Sequence, residues 1–441
     1  MFKTFRNAFK IKDIRSRLLF TFIAMIIVRL GSQLPVPGIN RELISQQLGL
    51  QTSLGFFDTL TGGSFSQMSI FALSITPYIT SSIIMQLLTI AIPRLEELQK
   101  DGEDGRRKIL EYTRYVTVAL ALIESIAMAI GFGRSGYLDD YSFISVAIIV
   151  ASLTAGSAFL MWLGERITEK GVGNGISIIL LINIVAKLPS DMTQLFRQFV
   201  LGASNVMNGL LGAVVIIAVI VAVVVFVVIL QNAQRKIPVQ YAKKVQGRKM
   251  VGGQSSHIPL KVNTAGVIPV IFAGSLMQFP IVVSSFFGVQ PARAYIWPKV
   301  LYLLDQNSWC DFSSLGEFQY TLGLLIYIAL VIFFAYFYTS ITFNPIEVSN
   351  NMKKQGGFIP GIRPGKPTTE YLTKVLNYII LVGAVALTII AVIPIFFSGA
   401  FNAQISFGGT SLIIIVGVVL ESMKQIESQM LVRHYKGFLN D

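Results

Sequence analysis

The stretch GGSFSQMSIFALSITPYITSSIIMQLL, residues 62–88, has the length and apolarity of a membrane span. Its first eight residues alone, however, carry two glycines and four polar side chains, and Pro77 stands before its second half. Only the second half reads as a good apolar helix. A half-polar segment in front of such a helix needs a reason, and the rest of the chain supplies the setting.

Over 441 residues the composition is 53% hydrophobic and 13% charged, with a mean hydropathy of +0.65. A soluble domain carries about 25% charged residues, so the chain is an integral membrane protein. A bilayer core needs roughly 20 apolar residues per helical span. Runs of that kind fall at 18–36, 70–92, 109–131, 142–163, 174–188, 208–231, 264–288, 318–340, 375–397 and 407–430. They predict an all-α polytopic fold of about ten transmembrane helices. An even count puts both termini on one side.

Charge gives the orientation. When loops are assigned alternately to the two faces, all but seven of the 36 Lys and Arg fall with the termini; the exceptions are Arg29, Arg41, Arg134, Lys187, Arg197, Arg293 and Lys299. Lysine and arginine accumulate on the cytoplasmic side, so both termini are expected there. The net charge of +13 then needs no nucleic acid. The apolar run after the basic start MFKTFRNAFKIKDIRSR lacks a small-residue cleavage site, so the first helix reads as retained.

Two segments echo each other. PYITSSIIMQ from Pro77 and PVIFAGSLMQ from Pro269 share the proline, an isoleucine two residues later and the closing Met-Gln. Each opens the second helix of a five-helix half, so the two halves run in opposite directions. Inverted repeats of this sort build pathways at their interface.

Most chemistries are excluded by what the spans lack. Ion-coupled transport needs ionisable groups at membrane depth, and Glu124 is the one carboxylate placed well inside a span. Arg29, Glu165, Arg166, Lys187 and Glu421 fall near span ends, where snorkelling accounts for them. Neither His257 nor His434 lies in an apolar run, which argues against an intramembrane hydrolase or an HExxH metal site. PGKPT at 364–368 lacks the hydroxyl residue and spacing of a phosphate-binding loop. The single Cys310 has no partner for an internal disulfide. No enzyme activity, cofactor or metal is expected. A passive conduit remains, with two long basic loops, 231–261 and 344–374, on the cytoplasmic face. Dense positive charge there suits an anionic partner, and Arg363 is framed by prolines and glycines in PGIRPG.

Six stretches carry a resemblance over nearly the whole chain: residues 62–88 quoted above, EYTRYVTVALALIES, GVGNGISIILL, QGRKMVGGQSSHIPLKVNTAGVIPVIFAGSLMQFP, NPIEVSNNMKKQGGFIPGIRPGKPTTEYL and SFGGTSLIIIVGVVLE. In this order they resemble the SecY family, the channel subunits of the bacterial protein-secretion translocon. The resemblance implies a plasma-membrane channel that passes unfolded secretory polypeptides and releases transmembrane segments sideways into lipid. It divides the chain into a basic arm (1–17), a first half (18–200), a second half (201–430) and a cytoplasmic tail (431–441), with a central pore between the halves.

The resemblance also implies roles for particular residues. Ile79, Ile83, Leu180, Ile271 and Ile414 would form an aliphatic pore ring, which excludes water and ions by dewetting. Residues 57–70 would form a re-entrant plug, with Phe57, Asp58, Gly62, Gly63, Ser64, Phe65, Ser66 and Gln67 as its members. That answers the opening question, because non-spanning backbone is tolerated at membrane depth only inside protein or beside a watery cavity. Ser81, Ser82, Glu124 and Asn263 would form a polar cluster at a lateral gate. Arg235, Lys243, Lys244, Arg248, Lys249 and Arg363 would dock a SecA motor or a ribosome. Small SecE and SecG subunits, signal-bearing polypeptides and the lipid bilayer complete the expected partners. The rival readings are an inverted-repeat secondary transporter, which would need an ionisable pair at mid-membrane, and a scaffold without a continuous pore.

Overall fold

The computed structural model describes residues 9–40, 44, 55–134, 136–202, 206–241, 244–246, 249–251, 255–286, 289, 291, 295–310, 321–401 and 409–437. Its helices, in chain order, are α1 (Lys12–Gly31), α2 (Gly55–Thr61), α3 (Thr76–Ala91), α4 (Pro93–Lys100), α5 (Glu103–Arg134), α6 (Phe143–Lys170), α7 (Gly175–Phe196), α8 (Val206–Asn232), α9 (Ile268–Phe286), α10 (Ile296–Leu304), α11 (Leu322–Thr342), α12 (Pro345–Lys354), α13 (Lys366–Phe401) and α14 (Gly409–Gly437). Among the described residues ten of these are long, one at each of the ten apolar runs. α5, α6, α7, α8, α11 and α13 are long and apolar enough to cross a membrane on composition alone, and α3 and α4 together reach that length and apolarity with a 101° bend between them. The chain is an all-α polytopic membrane protein.

Local chemistry explains where the helices start and stop. Pro77 lies in the first turn of α3, where a missing N–H costs no intrahelical bond. Pro93 forces Ile92 into an extended conformation, φ −111° and ψ 112°, which ends α3 and produces the bend. In the GVGNG motif, the Asn174 side chain accepts from the Ile176 and Ser177 N–H groups and caps α7. Gly175 permits close approach of that cap to α6, since a Cβ there would lie 1.9 Å from the Gly164 carbonyl oxygen. Helix α8 is apolar on every side and mostly exposed, which in a membrane protein is a lipid-facing or partner-facing span.

Two expected boundaries move. α1 begins at Lys12, within the expected basic arm of 1–17, and α13 begins at Lys366, within the expected 344–374 loop. Pro367 stands in the first turn of α13, where its missing N–H costs no intrahelical bond.

The largest departure from the sequence reading is a small sheet. Strands β1 (Gln234–Tyr241), β2 (Lys244–Gln246), β3 (Lys249–Val251) and β4 (Ser255–Lys261) occupy the first long basic loop, and β5 (Gly357–Phe358) lies in the second. β1 pairs antiparallel with β4, Ile237 opposite Ile258, and β5 joins the other edge of β1 at Gln240 and Tyr241. β2 and β3 form a separate hairpin. Pro238 is tolerated in the middle strand because β5 is too short to reach it. Ile237, Val239 and Leu260 point inward against Met352, Ile359, Leu372, Val375 and Ile379, so the two loops share one apolar core.

Two larger apolar clusters fill the bundle. One joins α8, α9, α11, α13 and α14. The other joins α1, α2, α6, α7, α9 and α14. Between the early and late helices, α5 packs against α9 and α7 against α14.

Candidate functional site

α3, α7, α9 and α14 converge on a cavity of about 1080 Å³. Ile79 and Ile83 of α3, Leu180 of α7, Ile271 of α9 and Ile414 of α14 all line it. Leu180, Ile271 and Ile414 are buried, and they join Ile79 in one apolar cluster that also contains Leu60 of α2. Ile83 packs against the other large cluster. The charged lining residues come from α5, α6 and α14 and from the end of strand β4. Arg114 is paired with Glu165 at 2.8 Å and Arg166 with Glu169 at 2.6 Å, and Lys261, Glu421 and Lys424 complete the set. The cavity therefore runs from a charged, wettable rim to an aliphatic collar backed by Leu60.

The segment behind that collar is held by polar contacts. After α2 the chain turns at Gly62 (φ +68°) and Gly63 (φ +81°), left-handed conformations that favour glycine. The Gly63 N–H donates to the Asp58 carbonyl at 2.9 Å, and the Ser66 N–H donates to Asp58 Oδ1 at 2.9 Å. Ser64 and Phe65 are buried, while Gly62, Gly63, Ser66 and Gln67 are half-buried. The Val36 N–H donates to the Met68 carbonyl and the Ile70 N–H to the Leu34 carbonyl, which ties the segment to the stretch after α1. Phe57 lies in α2, but its side chain is outside the described residues.

Three side chains from longer helices reach this segment. Lys187 Nζ of α7 pairs with Asp58 Oδ2, with both side chains largely buried, at 16% and 13% exposure. Asn183, also on α7, donates to the Leu60 carbonyl at 3.4 Å and to Ser74 Oγ at 3.0 Å. Arg29 of α1 donates to the Gly62 carbonyl at 3.4 Å. The reading of Lys187 and Arg29 as snorkelling end residues is thus corrected, since both reach this segment, whereas Glu165 and Arg166 sit in the last turns of α6 in ion pairs. Their common signal was a charge at the end of an otherwise apolar run, which does not reveal the partner.

The expected gate cluster is only partly assembled. Ser81 is fully buried, and its hydroxyl lies 2.5 Å from the Thr117 hydroxyl of α5. Ser82 and Asn263 line the cavity. Among the described residues Asn263 is buried with both amide atoms unpaired. Glu124 makes no hydrogen bond or ion pair with Ser81, Ser82 or Asn263 among the described residues. The hydroxyl of Thr117, two helical turns earlier on α5, takes the place expected for its carboxylate.

Of the basic loop residues, Arg235 and Arg363 are exposed. Arg363 sits between Gly361 (φ +82°) and Gly365 (φ +104°), and its carbonyl accepts from Thr368 Oγ1 at 2.8 Å. Lys244 lies in β2 and Lys249 in β3. Lys243 and Arg248 fall outside the described residues.

The family model for SecY matches residues 69–423. The chain belongs to the SecY family. Its SecY relatives include the protein translocase subunit SecY of Halalkalibacterium halodurans, 44% identical over 452 residues, with both chains covered in full. That of Bacillus subtilis is 43% identical over 451 residues with the same coverage. Among solved structures, a protein conducting channel superposes with a TM-score of 0.61 at 18% identity, covering 94% of this chain and 92% of its own. An idle yeast Ssh1 complex bound to the 80S ribosome gives 0.60 at 16% identity, covering 96% and 89%. SecY membership leaves the secondary-transporter reading without support.

Proposed function

We propose that this SecY-family protein, a protein-conducting channel of the translocase, is sealed at rest by the collar of Ile79, Ile83, Leu180, Ile271 and Ile414 with residues 57–70 lodged behind it. The observation that carries this reading is the convergence of those five side chains, from four helices, on one cavity whose apolar cluster includes Leu60. An aliphatic constriction disfavours water and ions, and it yields to an extended polypeptide because it makes no directional bonds. An unfolded chain enters from the charged rim, pushes the collar apart and displaces the plug. A hydrophobic signal segment leaves sideways between α3 and α5 on one side and α9 and α11 on the other, parting the α5–α9 contact.

The chain sits in a bacterial plasma membrane with both termini in the cytoplasm, a placement that the lysine and arginine asymmetry supports. The sheet and the Arg363 turn then face the cytoplasm, where a ribosome, as on the Ssh1 complex, or a SecA motor would dock. Small SecE and SecG subunits would complete the channel. Energy for movement comes from the docked partner, and no catalytic step is assigned to this chain.

The test is single-channel conductance of the purified complex in a planar bilayer. Ile271→Gly opens the resting channel to small ions if the collar is the seal. A variant as tight as the wild type overturns the reading and favours a scaffold without a continuous pore.

A further inference from the structure

The plug segment carries one formal charge between Gly55 and Ile75, that of Asp58. The helix behind it carries, four residues apart on one face, Asn183 and Lys187, and both reach the segment. We propose that Asp58 and Lys187 form an electrostatic latch that holds the plug shut, with Asn183 and Arg29 as its positioning residues. This rests on the reading of residues 57–70 as a plug and adds what retains it.

Neither the ammonium nor the carboxylate is well hydrated, at 16% and 13% side-chain exposure, and removing one partner of such a pair leaves the other charge uncompensated. The carboxylate works in two directions. Oδ2 faces Lys187, while Oδ1 accepts the Ser66 N–H and folds the Gly62–Gly63 turn back onto α2. The turn cannot be drawn away from α7 without also breaking the ion pair. Asn183 and Arg29 bind the Leu60 and Gly62 carbonyls, so the helix and the turn are gripped on both sides of the charge. Apolar contacts alone would let the plug slide, because they are non-directional; the latch gives it one seat. Departure therefore becomes a discrete event, in which the pair separates and each ion is rehydrated in the opened cavity.

A double-mutant cycle on the full complex in vesicles, read as resting chloride leak, tests this. Lys187→Met and Asp58→Asn each raise the leak roughly tenfold, the change that a loss of about 1.4 kcal/mol brings. The double variant leaks no more than the worse single, because each change has already broken the same contact. Lys187→Arg keeps the seal. Should Lys187→Met fail to accumulate, Lys187→Gln serves in its place. Independent, multiplying leaks overturn the latch, as do single variants as tight as the wild type in a protein that leaks when 58–66 is deleted. A deletion that does not leak instead overturns the plug reading itself, so the two failures are distinguishable.

Discussion

The two echoing decapeptides, Pro77–Gln86 and Pro269–Gln278, start helices α3 and α9 in the same way but are approached by different chains. Each has its proline in or beside the first helical turn, and each sends an isoleucine two residues later, Ile79 or Ile271, to the same cavity. Before Pro77 lies a buried, tightly turned segment held by Asp58, Asn183 and Arg29. Before Pro269 lies strand β4 and the Asn263–Gly266 turn at the charged rim. The comparison teaches that one local code supplies the collar from both sides, whereas the preceding residues decide whether that side is closed or open to a partner.

Breaking the asymmetry at its strongest point gives the largest effect. Deleting residues 58–66 leaves a protein that inserts but conducts ions at rest, raising vesicle leak by one to two orders of magnitude, as the loss of about 1.4–2.8 kcal/mol of closed-state stability would. Removing the shared element comes next. Ile79→Gly and Ile271→Gly each raise resting conductance about tenfold, since each strips a buried aliphatic side chain worth roughly 1.5–3 kcal/mol, and equal effects from the two would sharpen the idea that the echo builds one collar.

A smaller loss follows at the turn. Gly62→Ala places a Cβ 2.7 Å from the Asn183 carbonyl oxygen at a φ of +68°, and about 1 kcal/mol of strain raises the leak severalfold without abolishing translocation. Within one wall of the gate, Ser81→Ala removes the hydroxyl that ties α3 to Thr117 of α5, a contact worth roughly 1 kcal/mol within a membrane. A looser wall should ease opening, measured as export of a substrate with a weakened signal segment. Glu124→Leu should do less, given its missing bond to the cluster. The smallest effect on the seal lies farthest from it: Arg363→Glu lowers translocation while leaving resting conductance at the wild-type value. Equal losses in both would mean folding damage instead.

How much of this was legible in the sequence depended on how local the cause was. The ten helices could be read because lipid demands that backbone groups be satisfied within each segment, which leaves a local apolar signature. Helix starts at Pro77 and Asn174 were likewise written in a few residues. The Asp58–Lys187 pair was not, because its members lie 129 residues apart and a lysine near the end of an apolar run looks like any snorkelling lysine. The sheet escaped for a similar reason. Ile237 and Val239 alternate with polar neighbours for only a few residues, and β5 has just two, so their pairing is decided by the core they share with α13. The five collar residues came from family resemblance; periodicity alone could not single out Ile414 among the aliphatic residues of α14.

The three-stranded sheet has a mechanical consequence. Because β5 arrives from residue 357 to finish what β1 began at residue 234, the two arms are stitched into one handle rather than hanging as separate flaps. Because β1 follows α8, β4 leads into α9 and the shared core packs on α13, torque applied to either arm is delivered as rotation of several helices together.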